Sequence, residues 1–188
     1  FTTYEPFGVS AQIIPWNFPF EMSSRSLSAA LTTGNTCVVK TAENDPITQY
    51  WFAKAAEYAG FPPGAVNILC GLGKEAGAAL SSHPDVNQIV FTGSVATGSA
   101  IASAAAKNIV PCTLELGGKS AAIVYDDADI DNLIDSIRWG IFYNAGQVCS
   151  AMSRVIVPQK LHDEISERAG ELAKSLSVGP GSERTKFG

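Results

Sequence analysis

Four cysteines and two histidines limit the chemistry open to this chain of 188 residues. Cys37, Cys70, Cys112 and Cys149 are widely spaced, with no C-x-x-C pair to signal a redox motif or a zinc site, so reduced thiols are expected. With only His83 and His162 present, neither a Ser-His-Asp relay nor a histidine-rich metal centre is expected, and no metal is assigned. Cys149 lies in Gly146-Gln147-Val148-Cys149-Ser150. Local sequence alone reads it as a small buried hydrophobe more readily than as a nucleophile.

Two glycine-bearing stretches could meet a phosphate. Gly71-Leu72-Gly73-Lys74-Glu75-Ala76 matches G-x-G-x-x-A between a predicted strand and helix. An acidic residue about 20 positions on should hold a ribose hydroxyl, and Asp85 comes too early. The rival is Phe91-Thr92-Gly93-Ser94-Val95-Ala96-Thr97-Gly98, where glycines and a hydroxyl stand at a helix N-terminus. Ser94 can equally be a simple helix cap. Glu115 reads locally as a strand-end carboxylate, Asn17 as a turn residue between Pro15 and Pro19, and Lys40 with Glu43 as a solvated strand end.

The elements that must position these residues alternate along the chain. Strands are predicted at 7–14, 36–40, 65–69, 88–91 and 112–116, and helices at 21–31, 45–60, 74–82 and 96–107. Asp45-Pro46 is read as the N-cap and first turn of the second helix, and Trp51, Phe52, Ala55 and Tyr58 as its core-facing stripe. This rhythm predicts an α/β fold, a Rossmann-like doubly wound parallel sheet with ligands beyond the carboxyl ends of its strands. After Gly117-Gly118 the start of a second α/β domain is expected: strand 121–125, an acidic turn, a helix to about Tyr143, and strand 154–157. The expected domains are thus 1–118 and 119–188.

Composition narrows the partners. Hydrophobic residues at 46% and charged residues at 16% suit a packed globular core rather than disorder. A net charge of −5 without a Lys/Arg cluster argues against nucleic acid and anionic membranes, leaving small molecules. No apolar run reaches the roughly 18 residues of a membrane span, and residues 1–10 lack a signal-peptide pattern, so a cytoplasmic location is expected. Residue 1 is not Met and the chain stops at Arg184-Thr185-Lys186-Phe187-Gly188, which reads as a fragment.

Taken together, Pro15-Trp16-Asn17-Phe18-Pro19, Val39-Lys40-Thr41-Ala42-Glu43, Phe91-Thr92-Gly93-Ser94, Leu114-Glu115-Leu116-Gly117-Gly118-Lys119 and Asn144-Ala145-Gly146-Gln147-Val148-Cys149 resemble the NAD(P)-dependent aldehyde dehydrogenase superfamily in order and spacing. The resemblance covers nearly the whole chain and reverses the local reading of Cys149. It implies that Cys149 attacks an aldehyde to give a thiohemiacetal and then a thioester. Asn17, with the backbone N–H of Cys149, would stabilise the oxyanion. Glu115, its pKa raised by burial at the dry end of its strand, would activate water, giving a free acid without coenzyme A.

For the cofactor, the resemblance implies that Lys40 and Glu43 grip the adenosine ribose, and that Gly73 lies near the adenine. Gly93, Ser94 and Gly98 would sit around the pyrophosphate, Leu116 near the nicotinamide, and Ile14 and Trp16 along the same cleft. A carboxylate at Glu43 accepts from both ribose hydroxyls and repels a 2′-phosphate, so NAD is expected, with NADP as the alternative. Phe18, Arg25, Tyr143, Val148 and Ser150 match substrate-lining positions. Arg25 can stack on an aromatic ring or bind a carboxylate, which suggests an aromatic aldehyde first and an anionic semialdehyde second. A non-catalytic NAD-binding module is the rival from another class. The full-length parent is expected to be a homodimer or homotetramer, and residues 1–188 alone to turn over little, lacking the family's downstream Glu-x-Phe-Gly-Pro segment.

Overall fold

Val9–Ile13 (β1) alternates residues between the two faces of a sheet, as any strand must. Ser10 and Gln12 point to one face, Ala11 and Ile13 to the other, and both faces are buried. That double burial marks a central strand of a parallel sheet, to be covered by helices on each side. The computed structural model, which describes residues 1–183, bears this out. The run Arg184 to Gly188 lies outside the described residues.

The first unit, Phe1–Leu116, holds the sheet. After β1 come α1 (Pro19–Thr32), β2 (Thr36–Lys40), α2 (Ile47–Tyr58), β3 (Val66–Leu69), α3 (Ala78–Ser81), β4 (Gln88–Gly93), α4 (Val95–Ala105) and β5 (Cys112–Leu116). Every pairing is parallel and the strand order is β3-β2-β1-β4-β5. The chain winds outward from β1 in one direction and then, from β4, in the other. The carboxyl ends of β1 and β4 therefore flank the point where the order reverses, which is where such sheets bind ligands.

One face carries Cys37 and Val39 beneath Leu27 and Ala30 of α1, with Phe52 of α2 packed alongside. The opposite face carries Ala11, Ile13, Ile89 and Phe91 beneath Ile101 and Ala105 of α4. Burying such aliphatic and aromatic side chains contributes about 1.5–3 kcal/mol each.

Strand and helix positions follow the sequence reading closely, with four corrections. β1 is shorter than 7–14, since Phe7 is exposed before the strand begins. The predicted helix 74–82 opens with a π-type turn, Gly73–Gly77, leaving only Ala78–Ser81 α-helical. Of the stripe assigned to Trp51, Phe52, Ala55 and Tyr58, Phe52 packs against the core and the other three do not. Trp51 and Tyr58 are exposed, and α2 docks through Gln49 and Phe52, on the neighbouring arc of the helix. Finally, the helix His162–Ser175 of the second unit has no counterpart in the sequence reading. Asp45 stands one residue before Pro46, the N-cap of α2, and its carboxylate accepts from the Thr48 N–H at 3.4 Å and hydroxyl at 3.0 Å.

Gln49 is a buried polar pin. Its amide donates to the Pro19 carbonyl at 3.2 Å, and the Ser23 hydroxyl lies 2.6 Å from its Oε1. This ties α2 to the first turn of α1, directly after Asn17 and Phe18. Gln49→Ala should destabilise the fold by about 2–3 kcal/mol, because it leaves a cavity and unpaired polar groups. The shift of the urea midpoint at unchanged slope checks this.

The second unit starts at Gly117. It pairs β6 (Ala121–Ile123) with β7 (Arg154–Ile156) in parallel, joined through α5 (Ile130–Phe142) and followed by α6 (His162–Ser175). Val124, Ile137, Ile165 and Leu172 form its core. Asp129 caps α5, accepting from the Asn132 N–H at 3.1 Å. Among the described residues no helix is long and apolar enough to cross a membrane.

Candidate active site

The carboxyl edge of the parallel sheet brings three groups of sequence-selected residues together. At the end of β2, the nearly fully buried Lys40 donates from Nζ to Glu43 Oε2 at 2.9 Å. This hydrogen bond holds the Glu43 carboxyl below its ordinary range, helped by Glu43's own backbone N–H, the Lys40 charge and the Gly73 N–H. Glu43 is thus an ionised, half-exposed acceptor beside Gly73. The π-type turn that begins at Gly73 widens the first turn of this segment and opens a groove against α4. That groove, about 670 Å³, is lined by Ile13, Gly73, Ala78, Thr97 and Ile101 among others.

The second group lies where β4 and β5 end. Gly93 pairs in register with Leu116, and Gly98 of α4 packs against that leucine so closely that a Cβ there would meet Leu116 Cδ2 at 2.6 Å. Ser94 is the N-cap of α4: its Oγ accepts from the Thr97 N–H at 3.2 Å. Capping engages the Ser94 hydroxyl, so the first N–H groups of the helix are what remain to meet an anion. The rival fingerprint has a packing explanation, since a side chain at Gly71 would collide with Ala76 Cβ at 2.8 Å.

The third group stands on the other face of the sheet. Glu115 of β5 accepts at Oε1 from Arg25 Nη2 of α1 at 2.7 Å. The dry setting expected for Glu115 is not found in this chain, because its side chain is 47% exposed and ion-paired. The reason is strand alternation: Leu114 and Leu116 turn into the core below α4, which sends Thr113 and Glu115 the opposite way. Both charged groups border a cavity of about 350 Å³ floored by Gln12 and Thr92. Gln12 was not selected by sequence, although the polar alternation Ser10, Gln12 within an otherwise apolar strand is a readable signal.

The loop after β1 carries Trp16, which is exposed, and Asn17 and Phe18, which are half-buried. Ile14 is different. Its side chain belongs to the core with Leu27 and Val39, and its N–H is donated to the Lys40 carbonyl at 3.1 Å. A ligand in the cleft can reach it only through its carbonyl.

In the second unit Cys149 is exposed, unlike the buried hydrophobe that local sequence alone suggests. It follows α5 through Asn144, Ala145 and Gly146, three successive residues with φ of 51°, 55° and 78°. A left-handed backbone at two non-glycine residues costs roughly 1–2 kcal/mol each, and such strain collects at functional loops. Tyr143 and Ser150 are exposed and Val148 is half-buried around the same loop. By contrast, burial pushes the Cys37 thiol up to about 11 and also raises Cys112, so both stay protonated and inert at neutral pH. Lys119 donates from Nζ to the Gly118 carbonyl at 3.1 Å, while its own carbonyl accepts from Arg154. Among the described residues no group of three or more His, Cys, Asp or Glu side chains converges as a metal site would.

Residues 1–188 match the sequence profile described as "Aldehyde dehydrogenase family". An aldehyde dehydrogenase of Emericella nidulans is 48% identical over 188 residues, covering 100% of this chain and 38% of that protein. Human aldehyde dehydrogenase 1A1 is 49% identical over 180 residues, covering 95% of this chain and 36% of that protein. The structure of a Bacillus cereus aldehyde dehydrogenase in its NAD+ complex superposes with a TM-score of 0.95 at 46% identity, over 98% of this chain and 38% of that one. The chain therefore spans a little over a third of the length of these relatives.

Proposed function

Because the chain belongs to the aldehyde dehydrogenase family, we propose that it carries the nucleophile, the general base and much of the cofactor cradle of an enzyme that oxidises an aldehyde to a carboxylic acid with NAD. Residues 1–118 form the larger part of the NAD-binding domain in this reading, and 119–188 the opening of the catalytic domain. The observation that carries it is the gathering of Lys40, Glu43, Gly73, Gly93, Gly98 and Leu116 along one carboxyl edge of the sheet.

The residues present fit NAD. The ionised Glu43, fixed by Lys40, accepts from the two ribose hydroxyls, and the groove beside Gly73, about 670 Å³, receives the adenine. The N-terminal N–H groups of α4 receive the pyrophosphate, and the backbone at Gly93 comes near it without a side chain in the way. Leu116, backed by Gly98, and the carbonyl of Ile14 with the exposed Trp16 border the nicotinamide end. NAD supplies, when bound, the acceptor for the aldehyde hydride.

The chain's own residues do the rest. The Cys149 thiolate adds to the aldehyde carbon, forming a C–S bond and leaving negative charge on oxygen. The Asn17 amide and the Cys149 N–H donate to that oxygen. When the C–H bond breaks as hydride, a thioester remains on Cys149. Glu115 takes a proton from water as the water adds to the thioester carbon, and departure of the thiolate releases the acid. Phe18, Tyr143, Val148 and Ser150 enclose the organic part of the substrate. An aromatic aldehyde suits this set better than an anionic semialdehyde, because Arg25 already holds a carboxylate of the chain itself. The reading also includes a cytoplasmic enzyme assembled as a homodimer or homotetramer.

The test is steady-state kinetics of the full-length enzyme containing this sequence, over a panel of aromatic and carboxylated aldehydes with each cofactor. NAD should exceed NADP in kcat/KM by about tenfold or more, since a 2′-phosphate would face the Glu43 carboxylate. Glu43→Ser should narrow that ratio. A clear NADP preference in the unsubstituted enzyme would overturn the cofactor assignment.

A further inference from the structure

Arg25 and Glu115 lie 90 residues apart in sequence, on α1 and β5, yet meet at 2.7 Å. The contact uses one carboxylate oxygen, Oε1, and among the described residues Oε2 accepts no hydrogen bond. Among the described residues these two are also the only charged groups lining the cavity below α1. From β1 the cavity receives Gln12, from β4 Gln88 and Thr92, and from β5 Thr113 besides Glu115. Glu21, one turn before Arg25, borders the groove on the other flank of α1 instead. Gln12 is 1% exposed and, among the described residues, its Oε1 has no hydrogen-bond partner. A buried acceptor in the wall of this cavity, beside Thr92, Thr113 and the Arg25–Glu115 pair, calls for a small donor, and water is the donor that fits.

We propose that Arg25 is the positioning residue for the general base, binding Glu115 at Oε1 so that Oε2 is presented to the hydrolytic water at the mouth of the hydrated cavity. The proposal rests on the reading of Glu115 as base. It gives Arg25 a task different from recognition of a substrate carboxylate or ring. A guanidinium fixes a carboxylate by direction as well as charge, which a flexible ammonium does less well. A base held in one orientation meets its water without first losing side-chain freedom. The effect falls on hydrolysis of the thioester alone, after the hydride has left.

The experiment follows acyl-enzyme decay in the full-length enzyme by intact-mass spectrometry after a pulse of aldehyde and NAD, alongside the pre-steady-state burst of reduced cofactor. Arg25→Met should slow decay about tenfold while leaving burst rate and kcat/KM unchanged for neutral and anionic aldehydes alike. Arg25→Lys should recover part of the decay rate, and carries the test if the Met variant does not fold. Unchanged decay in both variants, or a KM rise confined to anionic aldehydes, would overturn the proposal. Glu115→Gln separates the two layers: decay at the unsubstituted rate in that variant refutes the base assignment itself, whereas slow decay there with normal decay in Arg25→Met refutes only the positioning role.

Discussion

Cys149→Ser in the full-length enzyme is expected to lower kcat/KM for aldehyde oxidation by about 10⁴-fold or more, with NAD affinity unchanged. A serine hydroxyl stays protonated at neutral pH and needs an adjacent base to become a nucleophile, whereas a thiol supplies thiolate on its own. The second unit's only histidine, His162, sits at the start of α6 and pairs with Asp163, its neighbour in sequence. Serine at 149 would therefore have no imidazole from this unit arranged as in a serine hydrolase. Alkylation gives an independent readout. Cys149 and Cys70 are exposed and should label with iodoacetamide, whereas Cys37 is buried and protonated and should resist until the chain unfolds. A Cys149→Ser enzyme retaining more than about a tenth of normal kcat/KM would sink the nucleophile assignment.

Asn17→Ala is expected to cost about 10²–10³ in kcat, the usual loss when one of two oxyanion donors is removed. The substitution acts where charge develops, so KM for the aldehyde and binding of NAD should change little. Asn17→Asp should be at least as damaging, since a carboxylate has no hydrogen to donate and would oppose the developing negative charge. If Asn17 only shaped the turn between Pro15 and Pro19, the loss would appear as lower stability with kcat preserved. Thermal unfolding measured beside kinetics separates these outcomes.

The alternation of strands and helices was legible because the strands are short apolar runs, those at the centre of the sheet buried on both faces, and several helices are bounded by glycine, proline or a hydroxyl cap. Residues 36–40 and 112–116 were placed to the residue. What sequence did not disclose depends on neighbours. Nothing in Gly-Lys-Glu-Ala-Gly distinguishes an α-turn from a π-turn, and the π-type turn found there brings Ala76 over Gly71 so closely that only glycine fits at 71. Trp51 and Tyr58 have the spacing of a core stripe, but which arc of a helix docks is decided by the surface it meets, here the Gln49 pin to α1. Glu115 was singled out for its chemistry, yet its partner comes from 90 residues away, a distance that no local pattern spans. Helix α6 is a different kind of omission. Ile165, Ala169 and Leu172 have helical spacing and pack in the unit's core, but the motifs that guided the reading end at Cys149.

The strand order described above also governs how the site is born. β1 sits at the centre of the sheet, yet its partner on one side is β4, and Ser10 meets Gln88 only across 78 residues of chain. The β1–β2–β3 half can assemble early from near neighbours, while closure against β4 must wait and must overcome the entropy of a long loop. Until then β1 offers a bare, apolar edge to any passing strand, the kind of surface through which folding intermediates aggregate. The cleft that would receive the cofactor thus lies along the seam of this sheet with the longest loop to close. Lesions in β4 far from any ligand should be felt first as poor yield during synthesis, and only in the surviving molecules as altered catalysis.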